Sequence, residues 1–124
     1  MKEIAECPVR NVLHQIMDAW SVAVLLLLNN GKYRFSEIYR NLPGNISKRM
    51  LSKTLRSLEE NGLLNRTVFP TKPPSVEYEL THLGQSFMPI VLQLADWAQV
   101  NQTQVHEARL NFNRDVDYYA QKLQ

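Results

Sequence analysis

The chain has 124 residues, 44% hydrophobic and 21% charged, which suits one globular domain with its own core and excludes a disordered chain. Its single cysteine, Cys7, excludes a secreted disulfide framework and points to a reducing, cytoplasmic setting. The net charge of +2, with an isoelectric point near 8.8, is too small to name a partner, so the positions of the charges must decide.

The first residues, Met1 to Glu6, carry acids and lead into no apolar stretch, so no secretory leader is expected. Pro8 suits the first position of a helix, and Val9, Leu13, Ile16 and Met17 continue it at helical spacing. The longest apolar run, Val22 to Leu28, is far short of the roughly 20 residues of a membrane span. It reads as part of a central helix from Ala19 to Leu28, closed by Asn29-Asn30-Gly31. Tyr33-Arg34-Phe35 reads as a short extended piece. Ser36 to Leu42 reads as a short helix with Ile38, Tyr39 and Leu42 on its apolar side, and Pro43-Gly44-Asn45 is a turn. A further helix begins at the N-cap Ser47 and runs to about Asn61, with Gly62 as its stop.

Leu64 to Phe69 and Ser75 to Leu80 have strand composition, and Pro70-Thr71-Lys72-Pro73-Pro74 between them makes a stiff hairpin tip. Thr81 can cap a long helix carrying Leu83, Phe87, Ile90, Val91, Leu94 and Trp97. Pro89 should bend that helix or mark its true start. The last segment keeps helical spacing at Val105, Ala108, Phe112, Val116, Tyr119 and Leu123. This order predicts a mostly helical α+β fold, a winged helix-turn-helix with a two-stranded wing and N- and C-terminal dimerisation helices. The winged domain is expected over residues 1–100, with 101–124 a helical extension of the same unit.

The helix after Ser47 is the most informative stretch. With Lys48 at 0° and about 100° per residue, Ser52, Arg56, Arg49 and Lys53 fall between about 0° and 140°. Met50, Thr54, Leu58, Leu51, Gly62 and Leu55 fall between about 200° and 340° on the same wheel. Glu59 and Glu60 share the basic face but sit at its C-terminal end. That charge order fits a recognition helix, whose N-terminal part reaches the bases.

Cys7 precedes a helix start with Arg10 close by, both of which favour a thiolate, while Glu6 opposes it. His14, His82 and His106 show no metal spacing, and no catalytic constellation, metal site or cofactor motif stands out. Neither an enzyme nor a membrane partner is expected. The apolar positions Val9, Leu13, Ile90, Leu94, Trp97, Val105, Phe112, Val116 and Tyr119 exceed what a compact winged helix needs for its own core. They are candidate dimer contacts.

Several motifs carry a family resemblance: Cys7-Pro8-Val9, Trp20, Arg34-Phe35-Ser36-Glu37-Ile38, Leu42-Pro43-Gly44-Asn45-Ile46-Ser47 and Met50-Leu51. It continues through Leu55-Arg56-Ser57-Leu58-Glu59-Glu60-Asn61-Gly62-Leu63, Arg66, Pro73-Pro74-Ser75-Val76-Glu77-Tyr78-Glu79-Leu80-Thr81, Leu83-Gly84, Pro89 and Trp97. Over residues 7–98 the chain resembles the HxlR-type winged-helix regulators, relatives of the MarR group. Met17-Asp18-Ala19 replaces the family's Gly-Gly-Lys, which removes a lysine from that turn, and the segment after residue 100 is longer than the family's core requires.

The resemblance implies a homodimeric winged helix that binds operator DNA as repressor or activator. Ser47, Lys48, Arg49, Ser52 and Lys53 are then expected in the major groove. Arg56 and Arg34 are expected on phosphate, Arg40 rather as a surface charge, and Arg66 and Lys72 on the backbone or minor groove from the wing. The resemblance also implies that Cys7 is a candidate sensor of oxidants or electrophiles, while the effector itself is not readable. The rival reading is a winged helix used only for protein–protein contact, whose signature would be a neutral or acidic face on the helix after Ser47.

Overall fold

The computed structural model describes residues 7–123. In chain order these form α1 (Pro8–Leu13), α2 (Ala19–Leu28), β1 (Tyr33–Arg34), α3 (Phe35–Asn41) and α4 (Lys48–Glu60). Strands β2 (Leu64–Phe69) and β3 (Ser75–Leu80) and helix α5 (His82–Lys122) follow. Residues 1–6, on which the leader reading and the influence of Glu6 on Cys7 rest, lie outside the described residues. The chain divides into two compact units, one ending at Val91 and the other beginning at Leu92.

The first unit is a winged helix-turn-helix built around α2. Asp18 caps α2: its carboxylate accepts from the Ser21 backbone N–H at 2.9 Å and from the Ser21 hydroxyl at 2.8 Å. Asp18, where the family's pattern has a glycine, therefore has a structural use as a helix cap, and Ala19 stands where the lysine would be. Val24, Leu25 and Leu28 are buried with Ile38 of α3 and Leu51, Leu55 and Leu58 of α4. Around them α2 is half-buried at Val22, Ala23, Leu26 and Leu27, as expected of a helix apolar on most sides.

The sheet has three strands in the order β1-β3-β2, all antiparallel. β3 is central, and its alternate residues Val76, Tyr78 and Leu80 turn to the core with the period of a strand. In β2 only Leu64 is buried, so the rest of that strand projects from the core as a wing. At its tip the Thr71 hydroxyl donates to the Pro73 carbonyl at 2.7 Å.

α4 ends in a Schellman arrangement. Gly62, at φ +79°, lets its N–H reach the Glu59 carbonyl and that of Leu63 reach the Leu58 carbonyl, both at 3.0 Å. Leu58 and Leu63 are both buried there. Thr81 then ties the start of α5 to the same turn: its hydroxyl donates to the Gly62 carbonyl at 2.6 Å and accepts from Gly84 N–H at 3.0 Å. Gly84 is buried against the Leu63 carbonyl, a close approach that leaves no room for a side chain.

Some local expectations give way. α1 stops at Leu13, and Ile16 reaches the core from the turn that follows rather than from the helix. Phe35 opens α3 instead of extending β1, and Tyr39 is exposed. Met50 is 42% exposed, although it falls on the apolar side of the wheel. Pro89 lies inside α5 and does not mark its start, because Gly84, Met88 and Val91 bury on either side of it and outweigh one lost backbone hydrogen bond. The second unit is the remainder of α5. Among its described residues none is buried, and only Ala95, Asn101 and Val105 are even half-buried.

Candidate nucleic-acid interface

α3, the turn Leu42–Ser47 and α4 make the helix-turn-helix. Leu42 and Ile46 bury at the two ends of the turn and fix it to the core. Ser47 caps α4, its hydroxyl oxygen accepting from Met50 N–H at 3.0 Å. The Ser47 hydroxyl hydrogen is left for another acceptor.

The division of α4 into two faces is realised in packing. Leu51, Thr54, Leu55 and Leu58 are buried, while Lys48, Arg49, Ser52, Lys53 and Arg56 are exposed along the opposite side. Among the described residues, Lys48, Arg49 and Lys53 have no carboxylate within ion-pair distance. Arg56 is engaged only weakly: its Nε lies 3.5 Å from Glu60 Oε1, with both side chains mostly in water, an ion pair a phosphate displaces at little cost. Glu60 thus pairs at the C-terminal end of the face, and among the described residues no carboxylate engages the N-terminal cations.

One contact was not legible in the sequence. Lys48 Nζ lies 5.5 Å from the centre of the Tyr39 ring, which joins α3 to the first residue of α4 by a cation–π contact. A hollow lined by Phe35, Ser36, Tyr39, Arg40 and Lys48 opens beside it. No spacing rule relates residues 39 and 48, because the turn between them decides whether they meet.

Arg34 lies at the start of α3, where its backbone N–H donates to Glu37 Oε1 at 3.0 Å. The fold brings Arg34 to the wing: a groove of about 490 Å³ is lined by Arg34, Phe35 and Ser36 on one side and by Thr71, Pro73, Pro74, Ser75 and Val76 on the other. Lys72 stands at the wing tip and Arg66 along β2, both exposed. Arg66 faces Tyr78 across the β2–β3 ladder.

Cys7 is half-buried, in extended conformation immediately before α1. Among the candidate dimer contacts, Leu13 packs against the core of its own unit and Val105 is half-buried. Val9, Ile90, Leu94, Trp97, Phe112, Val116 and Tyr119 are exposed, Val9, Trp97, Phe112 and Tyr119 by more than 60%. Among the described residues there is no cluster of metal-ligating side chains, and no helix is long and apolar enough to cross a membrane.

Comparison with known proteins gives concordant results. The model of the HxlR-like helix-turn-helix family matches residues 15–106. The HTH-type transcriptional regulator YtfH of Escherichia coli is 41% identical over 104 residues, covering 84% of this chain and 82% of that protein. Among solved structures, the ytfH transcriptional regulator of Salmonella typhimurium superposes with a TM-score of 0.75 at 42% identity, covering 84% of this chain and 92% of that one. The redox regulator HypR in its reduced form superposes with a TM-score of 0.74 at 38% identity, covering 82% of this chain and 99% of that one.

Proposed function

The chain belongs to the HxlR-like helix-turn-helix family and is a transcriptional regulator rather than an enzyme, and from that premise we propose that it acts in the cytoplasm as a sequence-specific homodimer on a pseudo-palindromic operator. The observation that carries this reading is the exposed run of Lys48, Arg49 and Lys53 on the first half of α4, with no carboxylate partner among the described residues. Ser47, Lys48, Arg49, Ser52 and Lys53 meet base edges in the major groove, where Lys and Arg pair with guanine and Ser with several bases. Arg56 and Arg34 hold phosphate. Arg66 and Lys72 bring the wing onto the backbone or minor groove. Residues 1–100 form the DNA-binding domain, and the extension 101–124 serves dimerisation together with Val9, Leu13, Ile90, Leu94 and Trp97.

Salt titration tests this reading. A dimer making about 6–10 phosphate contacts loses roughly 10³–10⁵-fold in DNA affinity between 50 and 200 mM salt. A fall of less than about tenfold over that range contradicts a phosphate-bound recognition face. A winged helix used only for protein contact would have no use for three open cations where bases are read.

A second reading concerns Cys7. It is favoured by the likeness to a redox regulator and by the position of the half-buried thiol just before α1. Oxidation of Cys7 changes DNA affinity in this reading. The expected result is that oxidant alters operator binding of the wild type and leaves Cys7→Ser unchanged. Equal responses of the two proteins end the idea.

A further inference from the structure

Lys48 differs from the other cations of its run. Among the described residues Arg49 and Lys53 have neither a carboxylate nor an aromatic ring as partner, whereas Lys48 Nζ lies 5.5 Å from the centre of the Tyr39 ring. Tyr39 stands outside the set of groove and phosphate residues, yet it is the one side chain of α3 that meets the first residue of α4 through such a contact.

The core holds the two residues in this relation. Ile38 is fully buried, which turns its helical neighbour Tyr39 outward. Leu42 and Ile46 bury at the two ends of the turn, and the Ser47 cap fixes where α4 begins. The hollow beside the pair, about 300 Å³, is also lined by Phe35, Ser36 and Arg40. Phe35 precedes Tyr39 by four residues, which puts both on one side of α3, and Phe35 itself packs against the core. The ring that carries the ammonium therefore belongs to an anchored part of the fold, not to a loose surface segment.

An unsupported lysine is a poor reader of bases. Its ammonium is a compact charge on a flexible stem, and phosphate oxygens take most of the hydrogen bonds a protein gives to DNA. A ring beneath the ammonium narrows the choice. It holds the charge by one side only, and an ammonium has three N–H donors, so donors remain for the O6 and N7 acceptors of guanine. A docked duplex also removes water from the hollow, and a cation–π contact strengthens when it is desolvated.

Resting on the major-groove reading above, we propose that Tyr39 is a positioning residue for base recognition. Its ring holds the Lys48 ammonium in place for a guanine edge and keeps it from the neighbouring phosphates. The aromatic face does this and the hydroxyl does not, so Tyr39→Phe preserves the function and Tyr39→Leu removes it. The loss is confined to the base pair that Lys48 reads.

The test selects from duplexes with a randomised core of about 30 base pairs, long enough for two half-sites a helical turn apart. The full-length chain is used as wild type, Tyr39→Leu, Tyr39→Phe and Lys48→Ala, and the bound fractions are sequenced. The wild type should prefer guanine by about tenfold or more at one position of each half-site. Lys48→Ala should abolish that preference, Tyr39→Leu should lower it at least about threefold, and Tyr39→Phe should keep it. Affinity for bulk DNA should change by less than about twofold in both Tyr39 variants, because the ring holds no phosphate. A merely structural role would instead weaken every position and bulk binding together. A preference retained in Tyr39→Leu overturns the positioning role. So does a loss at a position that Lys48→Ala leaves untouched, since Tyr39 would then read DNA by itself. A selective wild type whose profile Lys48→Ala does not alter removes Lys48 from the base readers, and Tyr39 with it. No enrichment by the wild type overturns the sequence-specific reading itself.

Discussion

Gly84→Ala should lower the unfolding free energy by about 3 kcal/mol, the upper range for overfilling a packed site. The sign makes this expectation sharp. In an ordinary helix interior the same change stabilises by about 1 kcal/mol, since alanine is the better helix former. Here a Cβ on Gly84 would overlap the Leu63 carbonyl oxygen and also lie 3.2 Å from Leu80 Cδ2. The carbonyl cannot step aside, because it accepts from Thr81 N–H at 3.0 Å. The neighbouring Thr81 hydroxyl is committed to Gly62 and Gly84. Moving α5 outward would break these bonds and open the core at Met88 and Val91. Urea unfolding of the variant checks this, and an unchanged or raised midpoint contradicts it.

Lys48→Ala with Arg49→Ala should weaken operator binding by more than about 1 kcal/mol, and by several if both side chains make good base contacts, each worth about 1–3 kcal/mol. Both residues lie in the first turn of α4, and in helix-turn-helix proteins it is the N-terminal part of the recognition helix that reaches the bases. Both are exposed, so the variant should keep its fold. The lost contact of Lys48 with Tyr39 is an exposed cation–π pair worth about 0.5–1 kcal/mol. Unchanged affinity in a folded protein would remove these residues from the site. Loss of binding with loss of folding would be seen in the same thermal melt.

β2 and β3 were legible to the residue because Pro70, Pro73 and Pro74 cannot continue a central strand and β-branched or aromatic residues flank them. α4 was legible because Ser47 and Gly62 mark its ends and its faces separate cleanly on a helical wheel. What was not legible depended on tertiary contacts. The pairing of β1 with β3 joins Tyr33 to Tyr78 and Arg34 to Glu77, and two residues are too few to show a strand period. Ile16 looked helical because its spacing fits, but an apolar side chain can bury from a turn as well. Met50 lies at the edge of the apolar face, where the surrounding elements rather than the wheel decide its exposure.

At the interface, the basic face could be read from sequence, and so could its charge order. The meeting of Lys48 with Tyr39, and of Arg34 with the wing, could not. Each joins segments across a turn or a sheet edge.

The most direct measurement is recovery of genomic DNA by the full-length chain. Sheared DNA from the source organism is bound at about 150 mM salt with excess competitor, and the retained fragments are sequenced. The account predicts a few enriched fragments sharing an inverted repeat, with half-sites about one helical turn apart, bound at least 10³-fold more tightly than bulk DNA. Uniform recovery, or no retention above competitor, would contradict a sequence-specific role for α4.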